Sequence, residues 1–380
     1  MTSEKTSENG AERKDLQPLP DARTQQVGYA VLGIGTLTID ELLPAFAVGQ
    51  RSRLAAVVSD DHEKAVAAAR AYGLTDADAY DYDRFEELQS RDDVHAVYIV
   101  LPNSLHREYT ERAAKIGKHV LCEKPLAATS EDAEAMVRVC AEHGVRLMTA
   151  YRCQYTPHHW RARDLIQGGD LGQIKLIHSV NVQVEPNDGQ WRLKDALAGG
   201  GSLLDVGLYC LNTIRFLLAE EPSEVYAQTF STPGDERFAE VEETVAWQMT
   251  FPSGVIAHCS CSYGAAHART LDVFGADARL TLDPAFDYTN LRLLVSRADT
   301  ITEHRLPETD QFALEIDHFS ACIKEDREPF TPGEEGLQDQ RLMAAIYQSA
   351  REGRPIKLEA VEKKDAFRGP LPNRDFADRA

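Results

Sequence analysis

A glycine turn directly behind an early apolar run leaves this chain few folds to choose from. Gly33-Ile34-Gly35-Thr36-Leu37-Thr38 follows the run from Tyr29 to Leu32, and the next residues place apolar side chains at helical spacing. A strand, a turn of small residues and a helix form the phosphate-binding unit of dinucleotide-binding folds, where backbone N–H groups at the helix start reach the pyrophosphate. The third glycine of that pattern is replaced by Thr38, so the match is incomplete.

Short apolar runs alternate with amphipathic stretches from residue 27 to about residue 150. This alternation predicts a parallel sheet covered by helices. Between the runs, helices are predicted from Ile39 to Phe46 and, behind a cap at Thr129 or Ser130, from Ala133 to Cys140. The runs are Tyr29 to Leu32, Leu54 to Val58, Val94 to Leu101, His119 to Leu121 and Val145 to Thr149.

The pattern changes after residue 150, where apolar side chains recur at every second position. Val245, Trp247 and Met249 are one example, and this period predicts a mostly antiparallel sheet, with helices inserted over 202–218 and 334–351. The chain is therefore predicted to be an α/β protein with a Rossmann domain over 27–150 and an α+β domain over 151–355. We expect an extended polar arm over 1–26 and a tail over 356–380.

The charge balance argues against several classes of partner. The chain has 41 basic and 61 acidic residues, a net charge of -20, which repels both phosphate backbones and anionic membranes. We therefore expect no nucleic-acid and no membrane partner, and no apolar run approaches the ~20 residues of a membrane-spanning helix. The seven cysteines show no disulfide framework and no zinc spacing, so we expect buried thiols and no metal. The first residues lack an apolar signal segment, so a cytoplasmic location is expected.

The residues behind the second apolar run are predicted to select the cofactor. Ser59, Asp60 and Asp61 begin 24 residues after Gly35, close to where dinucleotide-binding chains contact the adenosine ribose. An aspartate there binds the 2′-hydroxyl of NAD and repels a 2′-phosphate, whereas Ser59 and Lys64 are suited to hold the 2′-phosphate of NADP. The residues alone leave both cofactors open.

Two motifs follow later strands of the predicted parallel sheet. Leu101-Pro102-Asn103-Ser104-Leu105-His106 follows one strand and Cys122-Glu123-Lys124-Pro125 follows the next. Ligands of such sheets bind beyond the carboxyl ends of the strands, and Pro125 favours an extended backbone at Lys124. Lys124 is therefore expected to present its ammonium to the ligand crevice.

A third motif supplies a candidate acid–base group. Asp205 and Tyr209 lie one helical turn apart behind the glycines at 199–201, while the apolar residues of the same helix occupy its other side. Oxidation of an alcohol needs a base for the hydroxyl proton, and Tyr209 is our candidate. A nearby Lys124 ammonium favours phenolate and stabilises a developing alkoxide, and Asp205 is expected to orient the hydroxyl groups or the phenol.

The motifs resemble those of the Gfo/Idh/MocA oxidoreductases, in segments spread from about residue 18 to residue 355, and most of all the glucose-fructose oxidoreductase branch. Most of the wider family has histidine where Tyr209 stands. The resemblance implies that the second domain carries a large open sheet whose outer face packs subunits into a homodimer or homotetramer. The matching segments are Tyr29-Ala30-Val31-Leu32-Gly33, Leu101 to His106, Cys122 to Pro125, Tyr151-Arg152-Cys153, Gln190-Trp191-Arg192, Gly199 to Tyr209 and Pro332 to Gly336.

The resemblance also implies specific roles for residues. Catalysis is expected at Lys124, Tyr209 and Asp205, and substrate contacts at the same three residues together with Arg152 and Tyr155. The N-terminal arm is similar to one that covers the adenine end of a neighbouring subunit's cofactor. Expected cofactor contacts are Gly33, Ile34, Gly35, Thr36, Leu37, Thr38, Ser59, Lys64, Tyr82, Leu101, Asn103, His106, Glu123, Lys124, Arg152, Trp191, Arg192 and Tyr288.

These expectations converge on an NADP-dependent oxidoreductase that acts on CH–OH groups of sugars, oxidising the anomeric carbon of a pyranose. In the branch that the chain resembles, NADP is held tightly and recycled between two sugars. A simple sugar dehydrogenase that exchanges NAD or NADP at each turnover is an alternative. Two further alternatives are a non-catalytic regulator that senses a sugar or a dinucleotide and an enzyme that cleaves sugars by a transient oxidation.

Overall fold

The computed structural model describes residues 26–186 and 189–372. The predicted N-terminal arm, except for its last residue, and the end of the predicted tail lie outside these described residues. Within them, the chain forms two sheets and the helices that cover them.

The first sheet contains six parallel strands in the order β3-β2-β1-β4-β5-β6. Neighbouring strands are paired in parallel throughout, which confirms the predicted Rossmann-type sheet. Both faces are buried, and the strands are correspondingly apolar along their length. The strands are β1 (Val27–Leu32), β2 (Ser52–Ser59), β3 (Ala79–Asp81), β4 (Ala96–Ile99), β5 (His119–Glu123) and β6 (Leu147–Ala150).

Helices connect these strands and cover both faces of the sheet. Helix α1 begins as a π-helical turn, Thr38–Leu42, and continues as Leu43–Val48. The cap predicted at Thr129 or Ser130 is confirmed at Thr129, whose side chain accepts a hydrogen bond from the backbone N–H of Asp132. Ile39 of the predicted α1 stripe is 45% exposed, so the buried stripe of that helix begins at Leu42. The next helices are α2 (His62–Ala71), α3 (His106–Lys115) and α4 (Ser130–Glu142).

The second sheet contains nine strands in the order β14-β13-β12-β11-β7-β10-β9-β8-β15. Its pairs are antiparallel except for β7 and β10, which confirms the mostly antiparallel prediction. The last strand lies at the start of the segment predicted as a tail. The strands are β7 (Ile174–Val184), β8 (Glu224–Phe230), β9 (Thr244–Thr250), β10 (Ile256–Ser262), β11 (Gly264–Gly275), β12 (Arg279–Leu282), β13 (Leu293–Arg297), β14 (Thr300–His304) and β15 (Ile356–Lys357).

Among the described residues, helices pack on one face of this sheet. The helices that follow β6 are α5 (Pro157–Gln167), the short α6 (Asp195–Ala198), α7, formed by a π-helical turn, Leu203–Gly207, and Leu208–Leu218, α8 (Gln311–Lys324), which packs on the first sheet instead, and α9 (Gly333–Glu352). The stretch Asp195–Leu218 is long and apolar enough, by composition alone, to cross a membrane. However, 89% of its most apolar 18-residue segment is buried inside the protein. This burial is typical of a core helix. All seven cysteines are buried and free, as expected.

Helix α8 belongs to the later part of the chain but packs on the first sheet. Its residues Phe312, Ile316 and Phe319 share a buried cluster with β1 and α1. The hydroxyl of Tyr29 in β1 donates to the backbone oxygen of Ile316 and lies 2.9 Å from Ser320 Oγ. One face of the parallel sheet is therefore completed by a helix that follows the second sheet in sequence.

Candidate active site

A cavity of about 670 Å³ is lined by residues from both halves of the chain. The glycine turn and the ends of β4 and β5 contribute from the first half. Helix α7, β7, β11 and the loop after β12 contribute from the second. The cavity therefore forms where the carboxyl ends of the parallel strands meet the inner face of the second sheet, as ligand sites of such sheets do.

The geometry of the glycine turn fits a pyrophosphate. Gly33 has φ of 97°, and a Cβ placed there would lie 2.2 Å from the backbone oxygen of Val100, so only glycine is accommodated. Gly35 lines the cavity, and apart from its chain neighbours no described residue has an atom within 4 Å of a Cβ placed on it, so the missing side chain leaves room for a ligand. Thr38, which replaces the third glycine, donates from Oγ1 to the backbone oxygen of Gly33 at 2.7 Å and so ties the helix to the turn.

Only one of the residues predicted to select the cofactor lies in the cavity lining. Asp60 lines the cavity, whereas Ser59 is buried, donating to Asp60 and accepting from the backbone N–H of Asp61. Asp61 caps α2 by accepting from the backbone N–H of Lys64. The structure therefore brings Asp60 to the cavity and leaves Ser59 and Lys64 outside its lining.

His106 is another predicted contact that does not line the cavity. The ring is fully buried, with one nitrogen 2.9 Å from the backbone oxygen of Leu101 and the other 3.0 Å from that of Pro125. Burial lowers the pKa of His106. The ring therefore fastens together the two loops that follow β4 and β5, including the one that carries Lys124.

Lys124 and Asp205 form an ion pair across the two halves. Lys124 Nζ lies 2.8 Å from Asp205 Oδ1 and also donates to the Asp205 backbone oxygen at 3.1 Å. The other carboxylate oxygen accepts from Tyr263 Oη at 2.9 Å and lies 3.3 Å from Arg192 Nε. Asp205 therefore holds two cations and a phenol in the cavity wall.

The electrostatic environment keeps this pair charged. Burial alone would raise the pKa of Asp205, but Lys124 and Arg192 outweigh it and hold that pKa below its ordinary value. Burial alone would lower the pKa of Lys124, but Asp205 outweighs it and keeps that pKa above its ordinary value. Lys124 is therefore an ammonium at neutral pH and suits electrostatic stabilisation rather than proton abstraction.

Tyr209 receives its direct hydrogen bond from Arg152. Arg152 Nε donates to Tyr209 Oη at 3.2 Å, and Lys124 Nζ lies 4.8 Å from the centre of the Tyr209 ring. Arg152 itself is buried and fixed, because its other nitrogens donate to Gln311 Oε1 and the backbone oxygen of Phe286. The sequence predicted Lys124 as the cation beside the phenol, and the structure adds Arg152 as the group that contacts the phenol oxygen.

Most of the remaining predicted residues also meet in the cavity, but Tyr155 and Thr38 do not line it. Tyr155 is buried below α8, where its hydroxyl lies 2.9 Å from Thr331 Oγ1. The predicted residues in the lining are Gly33, Ile34, Gly35, Thr36, Leu37, Tyr82, Leu101, Asn103, Glu123, Lys124, Arg152, Trp191, Arg192, Asp205, Tyr209 and Tyr288.

Several lining residues were not identified from the sequence. Gln183 and Asn181 lie at alternate positions of β7, and Arg269 of β11 is the cross-strand partner of Asn181. Tyr263 follows β10. The available signal was the placement of polar residues at alternate positions on the inner side of a strand, where an ordinary core has apolar ones.

Two family models match the chain. The oxidoreductase family, NAD-binding Rossmann fold, matches residues 27–151, and the GFO/IDH/MocA C-terminal domain matches residues 159–281. A D-xylose 1-dehydrogenase [NADP(+)] from Haloarcula marismortui is 36% identical over 92% of this chain and 98% of the relative. A D-xylose 1-dehydrogenase (NADP(+)) from Haloferax volcanii is 32% identical over 87% and 99%.

Solved structures show the same likeness. Aldose-aldose oxidoreductase from Caulobacter crescentus, complexed with glycerol, superposes with a TM-score of 0.85 at 40% identity, over 88% of this chain and 100% of that one. KijD10, a 3-ketoreductase from Actinomadura kijaniata in complex with NADP and TDP-benzene, gives a TM-score of 0.76 at 26% identity, over 85% and 98%.

Proposed function

Since this chain belongs to the Gfo/Idh/MocA oxidoreductase family, we propose that it is an NADP-dependent aldose oxidoreductase acting at the anomeric carbon of a pyranose. The observation that carries the proposal is the meeting of the glycine turn with Lys124, Arg152 and Tyr209 in one cavity. NADP, when bound, exchanges a hydride with the sugar carbon at its nicotinamide ring. Oxidation of a pyranose at this carbon gives a lactone.

The side chains of the cavity supply the proton chemistry. Tyr209 Oη accepts the proton of the anomeric hydroxyl, and the Arg152 hydrogen bond holds that oxygen in position. Lys124 lies over the same ring and stabilises the negative charge that develops on the sugar oxygen as its proton leaves. Asp205 fixes the Lys124 ammonium in place. In the reverse direction, Tyr209 returns the proton.

The residues that would hold NADP lie along the same cavity. Backbone N–H groups of the first turn of α1 suit the pyrophosphate, because the first N–H groups of a helix have no partner within it. Asp60 lies at the expected ribose position, and its charge opposes a 2′-phosphate. Two D-xylose dehydrogenase relatives carry NADP(+) in their names, and this similarity supports NADP here.

Two modes of cofactor use fit this site. A tightly bound cofactor recycled between two sugars is supported by the likeness to aldose-aldose oxidoreductase. A simple dehydrogenase with a dissociable cofactor is supported by the D-xylose 1-dehydrogenase relatives.

Mass spectrometry of the purified protein, followed by an aldose panel with and without added NADP, tests the proposal. We expect co-purifying NADP and conversion of an aldose to its lactone. Lactone formed together with a reduced sugar, without free NADP, establishes recycling. Lactone formed only with added NADP establishes the simple dehydrogenase, and no oxidation of any aldose contradicts the proposed function.

We also propose that the uncovered face of the second sheet joins subunits into a homodimer or homotetramer. This face exposes apolar side chains, including Tyr226, Phe230 and Ile256, and carries a shallow depression around His178 and His258. Ile256→Glu is expected to reduce the mass measured by light scattering, and an unchanged mass contradicts this interface. The seven free thiols are compatible with a cytoplasmic location.

A further inference from the structure

A row of polar side chains lines the active-site cavity beyond the residues assigned above. We call the side chains of Gln183, Glu185 and Arg269 the polar wall. All three line the cavity. Gln183 belongs to β7, Arg269 belongs to β11 and is the cross-strand partner of Asn181, and Glu185 directly follows β7. Because Asn181 and Gln183 are two residues apart on one strand, they face the same side of the sheet.

Hydrogen bonds fix the polar wall in one arrangement. Arg269 Nη2 donates to Gln183 Oε1 at 3.0 Å, and Gln183 Nε2 donates to Glu185 Oε2 at 3.1 Å. Arg269 Nη1 donates to Asp287 Oδ1 at 2.7 Å. The guanidinium of Arg269 is therefore held between Gln183 and Asp287. These contacts fix the order of hydrogen-bond donors and acceptors along the polar wall.

The polar wall lies close to the reacting groups. Arg152 Nε contacts the Tyr209 phenol, and Arg152 Nη1 lies 3.5 Å from the backbone oxygen of Asp287, the residue that anchors Arg269. A sugar whose anomeric carbon meets Tyr209 therefore has the polar wall near its other ring positions. A group at this place acts on the choice of substrate rather than on the proton transfer.

The donor and acceptor content of the polar wall matches hydroxyl groups. Each terminal nitrogen of Arg269 carries two N–H donors, and the contacts above use one N–H on each nitrogen. The Gln183 amide uses one N–H and one oxygen lone pair in the same contacts and has a second of each. A hydroxyl both donates and accepts, so neighbouring sugar hydroxyls satisfy such a mixed surface. The carboxylate of Glu185, which lines the cavity, opposes the approach of a phosphate or carboxylate group.

We propose that the polar wall is the subsite that recognises the hydroxyl groups of a neutral, unphosphorylated aldose, with Arg269 and Gln183 as specificity-determining residues. This inference rests on the proposed function for the identity of the substrate as an aldose. It commits the site to sugars without a phosphate or carboxylate substituent.

Sugar binding is measured by titration calorimetry on NADPH-loaded protein, in a Tyr209→Phe background so that turnover does not disturb the titration. The probes are D-glucose and its 2-, 3- and 4-deoxy derivatives. The variants are Arg269→Lys, which keeps the charge but loses the planar fork, and Gln183→Leu. Arg292→Lys is the matched control, because Arg292 is an ion-paired arginine directly before β13 that is exposed outside the cavity.

We expect the parent protein to bind at least one deoxy sugar about tenfold more weakly than D-glucose, the usual loss for one missing hydrogen bond to a charged or amide group. Arg269→Lys or Gln183→Leu is expected to bind D-glucose about tenfold more weakly and to stop distinguishing it from that deoxy sugar. Arg292→Lys should behave as the parent. An equal loss for every sugar, or a loss of NADPH affinity, overturns the inference.

A second measurement tests the charge argument. D-glucuronate and glucose 6-phosphate are expected to bind at least tenfold more weakly than D-glucose, and Glu185→Gln is expected to narrow this difference. Equal binding of neutral and anionic sugars by the parent contradicts the proposed substrate class.

The two proposals fail in distinguishable ways. If aldoses are oxidised but the polar-wall variants keep their discrimination between sugars, only this inference is wrong. If the calorimetric pattern holds but no aldose is oxidised, the proposed function is wrong and the hydroxyl-recognising subsite stands.

Discussion

Tyr209, the proposed acid–base group, has two cationic neighbours. Arg152 contacts the phenol oxygen, while Lys124 is held over the ring by Asp205. Two fixed positive charges therefore lie beside one phenol. Because Arg152 is buried and hydrogen-bonded on its other nitrogens, its position beside the phenol is fixed.

Tyr209→Phe removes the proposed proton acceptor and leaves the glycine turn intact. We expect turnover to fall by about two to four orders of magnitude, the usual contribution of a positioned acid or base, with NADP affinity unchanged. Stopped-flow hydride transfer and NADPH fluorescence titration measure the two quantities. Tyr72→Phe is the control, because Tyr72 lies outside the cavity lining, and it should leave both quantities unchanged. Retained turnover in Tyr209→Phe would remove Tyr209 from the mechanism.

The preference between NADP and NAD is predicted to depend on Asp60. Asp60→Asn removes the negative charge beside the expected 2′-phosphate, so NADP should bind about tenfold more tightly, and NAD should lose a ribose contact. Fluorescence titrations with NADPH and NADH measure the ratio. Asp83→Asn, on an exposed residue outside the cavity lining, should leave the ratio unchanged. An unchanged ratio in Asp60→Asn places the 2′ position elsewhere.

At the scale of elements, α7 carries two catalytic candidates across a close contact with β10. Asp205 lies in its π-helical turn and Tyr209 in the α-helical part that follows. Gly207 lies between them, and a Cβ on Gly207 would stand 2.7 Å from Cys261 Sγ. The glycine therefore sets how closely the helix approaches the sheet.

Gly207→Ala is predicted to push α7 away from β10. We expect a loss of about 1–3 kcal/mol in the free energy of unfolding, and a larger loss of turnover than of NADP affinity. The matched variant is Gly207→Ala with Cys261→Ala, which removes the opposing sulfur and should restore part of both losses. Denaturant unfolding and steady-state kinetics measure the effects. A double variant no better than the sum of the single ones would show that this contact does not set the spacing.

The elements were more predictable from the sequence than the details of the site. The Thr129 cap, the glycine turn and the alternation of Val245, Trp247 and Met249 are local patterns, and the structure confirms each of them. The contact between Arg152 and Tyr209 joins residues 57 positions apart, and no local pattern reveals it. The same applies to Tyr155, for which the family resemblance implied a substrate contact but whose side chain packs against His318 of α8.

For the whole molecule, two buried histidines predict sensitivity to acid. His318 Nε2 accepts from the backbone N–H of Phe330, and burial lowers the pKa of His318 to about 3. Burial likewise lowers the pKa of His159 to about 3. Because the unfolded chain binds these protons near pH 6.5 and the folded chain does not, their contribution to stability is complete above pH 6.5 and is lost as the pH falls towards 3.

We therefore expect each histidine to reduce the free energy of unfolding by about 2 kcal/mol between pH 7 and pH 5. His318→Gln should remove its share of this pH dependence, and His143→Gln, at an exposed position, should not. Denaturant unfolding at the two pH values gives the difference between parent and variant, which isolates the histidine from other titrating groups. A His318→Gln variant with the parent's pH dependence contradicts this account.

The position of α8 restricts how the protein can be divided or recombined. A fragment ending near residue 150 would leave Tyr29 without its hydrogen-bond partners and would expose the side of the parallel sheet that Phe312 and Phe319 cover. Exchanging nucleotide-binding halves between relatives at that junction would also mismatch this packing. A functional chimera must therefore transfer α8 together with the first 150 residues, as a discontinuous graft rather than a single crossover.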